Sequence, residues 1–218
     1  MPRTFQKTTR MSNGLVSAAA GLTVLLAAFS FVAVPARAAD FETAYAYFKQ
    51  NQWLPAFLDF QILAVEGDSR AQAYIGMMYR RGLGISLDYA EAERWLRASA
   101  EQGDPTGNHR LGWMYARGEI TGERAFTEAV KYWKAAAEKG HHQAQMDLGV
   151  MYWRGEGVPQ DYVLAYTWLD LASDDPELTA ASSNRDNLAK VMTPEQVEDG
   201  KALAISMRDE IPELESLW

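Results

Sequence analysis

The chain has no cysteine and only three histidines, and its 21 basic residues fall short of its 29 acidic ones. Without thiols there is no disulfide framework, no thiolate nucleophile, no thiolate metal ligand and no cysteine to carry a lipid. Packing alone must then hold the core, and 48% hydrophobic with 11% aromatic residues is enough material for one. The shortage of positive charge argues against nucleic acid as a partner, because phosphate binding needs a basic surface. HExxH, CxxC and GxSxG motifs are absent as well. The glycines of "RRGLG" and "WRGEG" do not make a phosphate cradle, since they recur as helix breaks and no strand precedes them. No stretch implies a cofactor or a metal. His141 and His142 are neighbours, which point about 100° apart on a helix, and they are expected in an exposed turn after Gly140.

The first 38 residues differ from the rest. Arg3, Lys7 and Arg10 precede an uncharged apolar run over 15–34, and Ala36-Arg37-Ala38 follows as a small-x-small pattern. This combination predicts a secretory signal peptide cleaved after Ala38. An uncleaved inner-membrane anchor is the alternative, because the run is close to the ~20 residues that span a bilayer. Membrane contact is expected only through that segment. Cleavage would leave 17 basic against 29 acidic residues, a net charge near −12, with 12 acidic and 4 basic residues from Asp170 onward.

What the remainder has in quantity is repetition. "MYRRGLG" at Met78, "MYARGEI" at Met114 and "MYWRGEG" at Met151 place Tyr79, Tyr115 and Tyr152 at intervals of 36 and 37 residues. A fixed period of roughly 20 to 50 residues marks a solenoid or array. The first unit reads Ala71, Ile75, Gly76, Tyr79, Gly82, Gly84, Asp88, Ala92, Trp95. The third repeats it as Ala144, Leu148, Gly149, Tyr152, Gly155, Gly157, Asp161, Ala165, Trp168. The second, with Leu111, Gly112, Tyr115, Gly118, Ala129 and Tyr132, has one extra residue and lacks the second loop glycine.

Each unit parses as helix, glycine loop, helix. Steps of four at Ala71, Ile75 and Tyr79 mark one helix face, Gly82 ends that helix, and Asp88 or Asp161 caps the next. Gly76, Gly112 and Gly149 lie inside helices, where glycine costs about 1 kcal/mol against alanine. The explanation expected is a ring of Trp95, Tyr132 or Trp168 seated against them. Before the units, residues 39–70 read as a capping helix pair whose second helix starts near Pro55. After them, Thr193-Pro194-Glu195-Gln196 is a capping box with proline at the first helical position, opening a helix from Pro194 to about Asp209. The organisation expected is therefore 1–38 signal, 39–70 cap, repeats at 71–106, 107–143 and 144–175, and capping helices in 176–218.

The recurring pattern A-x-x-x-[LI]-G-x-x-Y-x-x-G-x-G-[IV]-x-x-D-x-x-x-A-x-x-W resembles that of Sel1-like repeats, relatives of the tetratricopeptide repeat. The resemblance covers residues 71 to about 173. It implies an all-α fold, a right-handed α/α superhelix of helix-turn-helix repeats, and a scaffold that binds a protein or peptide partner, with no enzymatic activity. Periplasmic members also restrain sensor kinases or exopolysaccharide systems, which is the alternative role. Cysteine-rich members are associated with β-lactams, and the lack of cysteine here removes that activity.

Two sets of residues are candidates for the partner site. At 100° per residue, Ala73, Met77 and Arg80 lie opposite Ile75. Their counterparts are His109, Trp113 and Ala116, then Met146, Val150 and Trp153. An outward stripe this apolar reads as a binding patch, or else as packing under a neighbouring helix. Arg81, Arg117 and Arg154 form the second set, either complementing helix C-termini or facing an acidic partner. A rival from another class is a glycan hydrolase using Asp174-Asp175 or Glu198-Asp199, pairs expected in a turn and on a wet cap. The expected outcome for export is a mature chain that begins at Ala39 in the periplasmic fraction. N-terminal sequencing that finds Met1 on membrane-bound protein supports the anchor instead.

Overall fold

A computed structural model describes residues 39–210. The segment expected to be a signal, 1–38, and the last residues, 211–218, lie outside the described residues. Ten helices and no strand occur among those described. α1 (Phe41–Lys49) and α2 (Trp53–Glu66) form the first pair. Three repeat pairs follow: α3 (Ser69–Arg81) with α4 (Tyr89–Glu101), α5 (Pro105–Arg117) with α6 (Phe126–Ala137), and α7 (His142–Arg154) with α8 (Tyr162–Ala172). α9 (Thr179–Ala189) and α10 (Pro194–Arg208) close the far end. The fold is a right-handed α/α solenoid with capping helices.

Local chemistry sets the helix boundaries. Asp68 accepts from the N–H groups of Arg70 and Ala71 at 2.9 and 3.0 Å, Asp104 from Gly107 at 2.9 Å, Asp88 from Ala90 and Glu91, and Asp161 from Leu164. Each satisfies donors that the first helical turn leaves without partners. Thr193 and Gln196 form the reciprocal capping box. Gly82, Gly118 and Gly155 end the first helix of each unit in the left-handed region. The loop then closes on the repeated tyrosine, whose carbonyl accepts from Asp88, Ala125 or Asp161 at 3.0 Å. In the second unit the extra residue is absorbed in this loop, and α6 enters through Ala125 without a side-chain cap.

The second loop glycine serves the stack rather than the loop. A Cβ on Gly84 would meet the backbone of Trp53 at 2.8 Å, and one on Gly157 the backbone of Phe126 at 2.5 Å. Each loop therefore rests on the start of the preceding unit's second helix. The mid-helix glycines are close-approach sites too, but the partner differs from the expectation. A Cβ at Gly76 would stand 2.6 Å from Leu96, at Gly112 2.6 Å from Trp133, and at Gly149 2.9 Å from Leu169. Trp95, Tyr132 and Trp168 sit one residue earlier and turn aside by about 100°. Trp95 and Trp168 are buried in the core, while Tyr132 stacks on Tyr115 at 5.5 Å. The repeated alanine completes the contact: the carbonyl of Ala92, Ala129 or Ala165 would be 3.1 Å from the added carbon.

Three hydrophobic clusters follow one another along the solenoid. Phe41, Phe57, Phe60, Tyr74, Ile75 and Met78 form the first; Leu96, Leu111, Met114, Trp133 and Leu148 belong to the second; Tyr166, Leu169 and Leu188 to the third. Tyr79 packs against the first two, and Tyr152 against the last two. At the far end Asp170 is held by Arg185 of α9 at 2.9 Å and by Arg208 of α10 at 3.0 Å.

The packing at the glycines generates a graded expectation. Gly149→Ala should cost about 1–2 kcal/mol, even though alanine regains about 1 kcal/mol of helix propensity, and Gly149→Leu more than about 3. Gly76→Ala should cost more than Gly149→Ala, because Leu96 is nearer than Leu169. Urea unfolding that ranks the two alanine variants the other way contradicts this packing.

Candidate partner-binding face

The first helices of the units, α3, α5 and α7, carry the inner register of the solenoid, and they are joined by polar contacts. In every unit one amide reaches back eight residues to the last turn of the preceding helix. Gln72 Nε2 donates to the carbonyl of Ala64 at 3.1 Å, Asn108 Nδ2 to Ala100 at 3.4 Å and Gln145 Nε2 to Ala137 at 3.2 Å. These are corresponding positions, each one residue after Ala71, Gly107 or Ala144, and they satisfy helix-end carbonyls that otherwise lack a donor. The recurrence of Gln, Asn and Gln at one register was a readable signal that the sequence reading passed over.

Longer contacts tie neighbouring units. Arg80 grips Glu119 of the next unit with two bonds, Nε at 2.6 Å and Nη2 at 3.0 Å, both side chains being largely buried. His109 Nε2 lies 2.8 Å from Asp147 Oδ2, again one unit on, and the His109 ring lies against that of His141 at 4.5 Å, tilted by 36°. Trp113 Nε1 approaches the same pair, 3.1 Å from His109 Nε2. Burial pushes Asp147 up to about 7, against the opposing indole hydrogen bond of Trp113. Burial, with Arg110 and Arg80 nearby, brings His109 down to about 3. Burial likewise lowers His141 well below its ordinary value. These opposite shifts favour a neutral carboxyl donating to a neutral imidazole on the acid side of pH 7.

This arrangement corrects the outward stripe. Ala73, Met77, His109 and Ala116 are buried, Trp113 is half-buried and its ring meets Trp133 edge-on at 5.6 Å. Met146, Val150 and Trp153 pack against the cluster built by α8 and α9. The reason is geometric: each inner helix touches its own partner helix, the preceding one and its neighbour along the stack, so the side opposite Ile75 is covered at Ala73, Met77, His109 and Ala116 and half-covered at Arg80, Trp113, Met146, Val150 and Trp153. The expectation for His141 also fails. It is buried and caps α7, its Nδ1 accepting from Ala144 at 3.3 Å, in the place that Asp68 and Asp104 fill elsewhere. Only His142 is half-exposed.

Arg81, Arg117 and Arg154 are exposed at the ends of α3, α5 and α7, and Arg117 lies over the Trp113 ring at 5.3 Å. Between the first two stands a residue that spacing did not single out. Arg110 occupies the register of Tyr74 in the preceding unit and of Asp147 in the next. It is half-buried, its Nε is sealed from water with no acceptor, and among the described residues it has neither hydrogen bond nor ion pair. Its guanidinium stands 5.6 Å from the centre of the Tyr74 ring. Burial lowers its pKa, opposed by Tyr74 and Asp104 and helped by Arg81 and Arg80. The carboxylate pairs are spent on the surface instead: Asp174 is held by Arg208 at 2.8 Å, Asp175 caps Glu177, and Glu198 pairs with Lys201.

Stacked helix pairs joined through inner-face seams define an α/α repeat protein. The Sel1 repeat profile matches three times, at residues 69–104, 105–141 and 142–175, and the chain belongs to the Sel1 repeat family. These repeats generally serve as protein-interaction scaffolds. The fold is shared with a Sel1 repeat protein from Oxalobacter formigenes, at a TM-score of 0.63 and 23% identity over 79% of this chain and 76% of that one. A protective antigen from uropathogenic Escherichia coli strains, of the same repeat class, superposes at 0.39 with 21% identity, over 78% of this chain and 52% of that one. ERAD-associated E3 ubiquitin-protein ligase component HRD3A of Arabidopsis thaliana is 39% identical over 64 residues, 28% of this chain. The chain spans less than a tenth of that protein's length, 9%.

The seam yields a pH-dependent expectation. A carboxyl whose folded pKa lies above its unfolded value contributes stability at acid pH that is lost as pH rises through the folded pKa. Removing the imidazole leaves Asp147 buried without its partner. His109→Ala removes the acceptor of the Asp147 proton, and should therefore lose about 2–3 kcal/mol at pH 5 and less at pH 8, where the carboxyl is ionised and no longer donates. Urea titrations at both pH values check it, and a loss that is larger at pH 8 overturns the assignment.

Proposed function

We propose that the chain is a non-enzymatic scaffold of the cell envelope that binds a protein or peptide partner through carboxylates presented to the inner face around Arg110. The observation that carries this reading is Arg110 itself. The Nε of this half-buried guanidinium is cut off from water and from any acceptor, which is destabilising, and the planar fork matches a carboxylate. A partner's Asp, Glu or terminal carboxylate would supply what the folded chain does not. Arg81 and Arg117 extend the positive stretch along the stack, in contrast to the acidic balance of the chain as a whole. Envelope location is supported by the charged start, apolar run and Ala36-Arg37-Ala38 pattern of the N-terminal segment.

Arg110→Met separates binding from folding. It keeps the length of the stem and removes the charge, so the variant should be as stable as the parent or about 1–2 kcal/mol more stable. Capture of envelope proteins on the immobilised protein should fall at least about tenfold, the loss expected of one charge-assisted contact. Binding by the parent should also weaken with added salt and with a competing glutamate-rich peptide. An Arg110→Met variant that captures the same proteins as the parent sinks the proposal.

A further inference from the structure

The second helices of the pairs present one face to the outside of the stack, and its character changes along the chain. On α4 this face carries Ala90, Arg94, Ala98 and Glu101, and on α6 Thr127, Lys131, Ala135 and Glu138. On α8 the same register holds Val163, Thr167, Leu171 and Asp174, and α10 lies across it. Thr167 Oγ1 donates to the carbonyl of Gly200 at 3.2 Å, Gly200 abuts the Tyr166 ring, and Arg208 reaches Asp174. A helix therefore docks on this face within the molecule itself.

On α2 the register reads Leu54, Leu58, Ile62 and Val65, and these side chains are 57%, 52%, 48% and 72% exposed. They fall within about 80° of arc at 100° per residue. No Lys, Arg, Asp or Glu lies among them, Gln61 being the polar neighbour on that face. Phe57, Phe60, Ala56 and Ala64 fill the opposite side of the helix. The chain thus keeps a helix-docking face, replaces its polar residues with branched aliphatic ones, and leaves it open among the described residues.

We infer that this face pairs with α2 of a second copy of the chain in antiparallel fashion. The stripe reads nearly the same in both directions: about a twofold axis near Phe60, Leu54 meets Val65 and Leu58 meets Ile62 of the other copy. Such self-complementarity is what an isologous interface requires. Arg208, which anchors α10 on α8, would have no acid to grip here, since Gln61 and Val65 replace Asp170 and Asp174. A partner helix of the α10 kind is thereby disfavoured, and an aliphatic one suits the site. The absence of basic residues from α2 also speaks against an anionic lipid surface. The exposed aliphatic area is roughly 400 Å² per copy, about half of a standard interface side. The dimer is therefore weak, and salt should strengthen it by screening the acidic charge of the two chains.

The test uses the chain from Ala39 onward, the mature form expected if the signal is cleaved, in analytical ultracentrifugation over about 5 to 500 µM, a range suited to a small interface. The parent should pass from monomer to dimer across it, more readily in high salt. Leu58→Glu combined with Ile62→Glu should remain monomeric with an unchanged thermal melt, since both positions are exposed. The lack of cysteine allows a check of orientation. A mixture of Leu58→Cys and Ile62→Cys chains should oxidise to the crossed dimer faster than either chain alone forms its own. A parent that stays monomeric, a double variant that still dimerises, or faster cross-linking within each single variant overturns the inference.

Discussion

Everything in this solenoid depends on how closely the two helices of a pair approach. Gly76, Gly112 and Gly149 each face the carbonyl of a repeated alanine and a large side chain one turn further along. Had any of these positions carried a Cβ, the paired helix would have to move outward, and contacts with the next unit would move with it. The glycine's cost in helix propensity is about 1 kcal/mol, and close packing over a whole pair returns more than that. The same principle reappears in the loops, where Gly84 and Gly157 let one unit rest on the backbone of the unit before.

Close approach has a second consequence. With the inner helices covered on nearly every side, polar groups at helix ends cannot reach water and must be satisfied inside. Gln72, Asn108 and Gln145 answer that need by donating to the preceding helix, and Arg80, His109 and Asp147 bridge from one unit to the next. A seam of this kind rigidifies the stack, because unsatisfied groups there are expensive. It also makes exceptions informative. Arg110 Nε and Gln145 Oε1 break the pattern of satisfaction, and because Arg110 alone of the two carries charge, the functional reading rests on it more than on the exposed arginines of the helix ends.

The two ends of the stack solve the problem of an open end differently. At the C-terminal side α9 and α10 cover the last pair, and Asp170 is shared between Arg185 and Arg208. At the other end α1 supplies aromatic contacts, with Phe41 and Tyr45 against Tyr74 at 5.7 and 5.5 Å, while the outer face of α2 stays aliphatic. Solenoids ordinarily finish with polar caps. The departure at α2 is what separates a closed end from one suited to association.

By itself the sequence determined most of the features that a segment of about a dozen residues can encode. The period of 36 and 37 residues, the aspartate caps at Asp88 and Asp161, the glycine stops after α3, α5 and α7, and the capping box at Thr193 were all legible, because each acts within one or two turns of backbone. The repeated mid-helix glycine announced close approach in the same way. Only the tertiary structure decided which side chain fills it, and the answer was Leu96, Trp133 and Leu169 rather than their aromatic neighbours. A shift of one residue rotates a side chain by 100°, and the phase of the partner helix is settled by contacts that local pattern does not hold. The burial of Met77, His109 and His141 and the pairing of His109 with Asp147, 38 residues away, belong to the same class. A period says that environments recur; which flank of a helix the next unit covers depends on how the units stack.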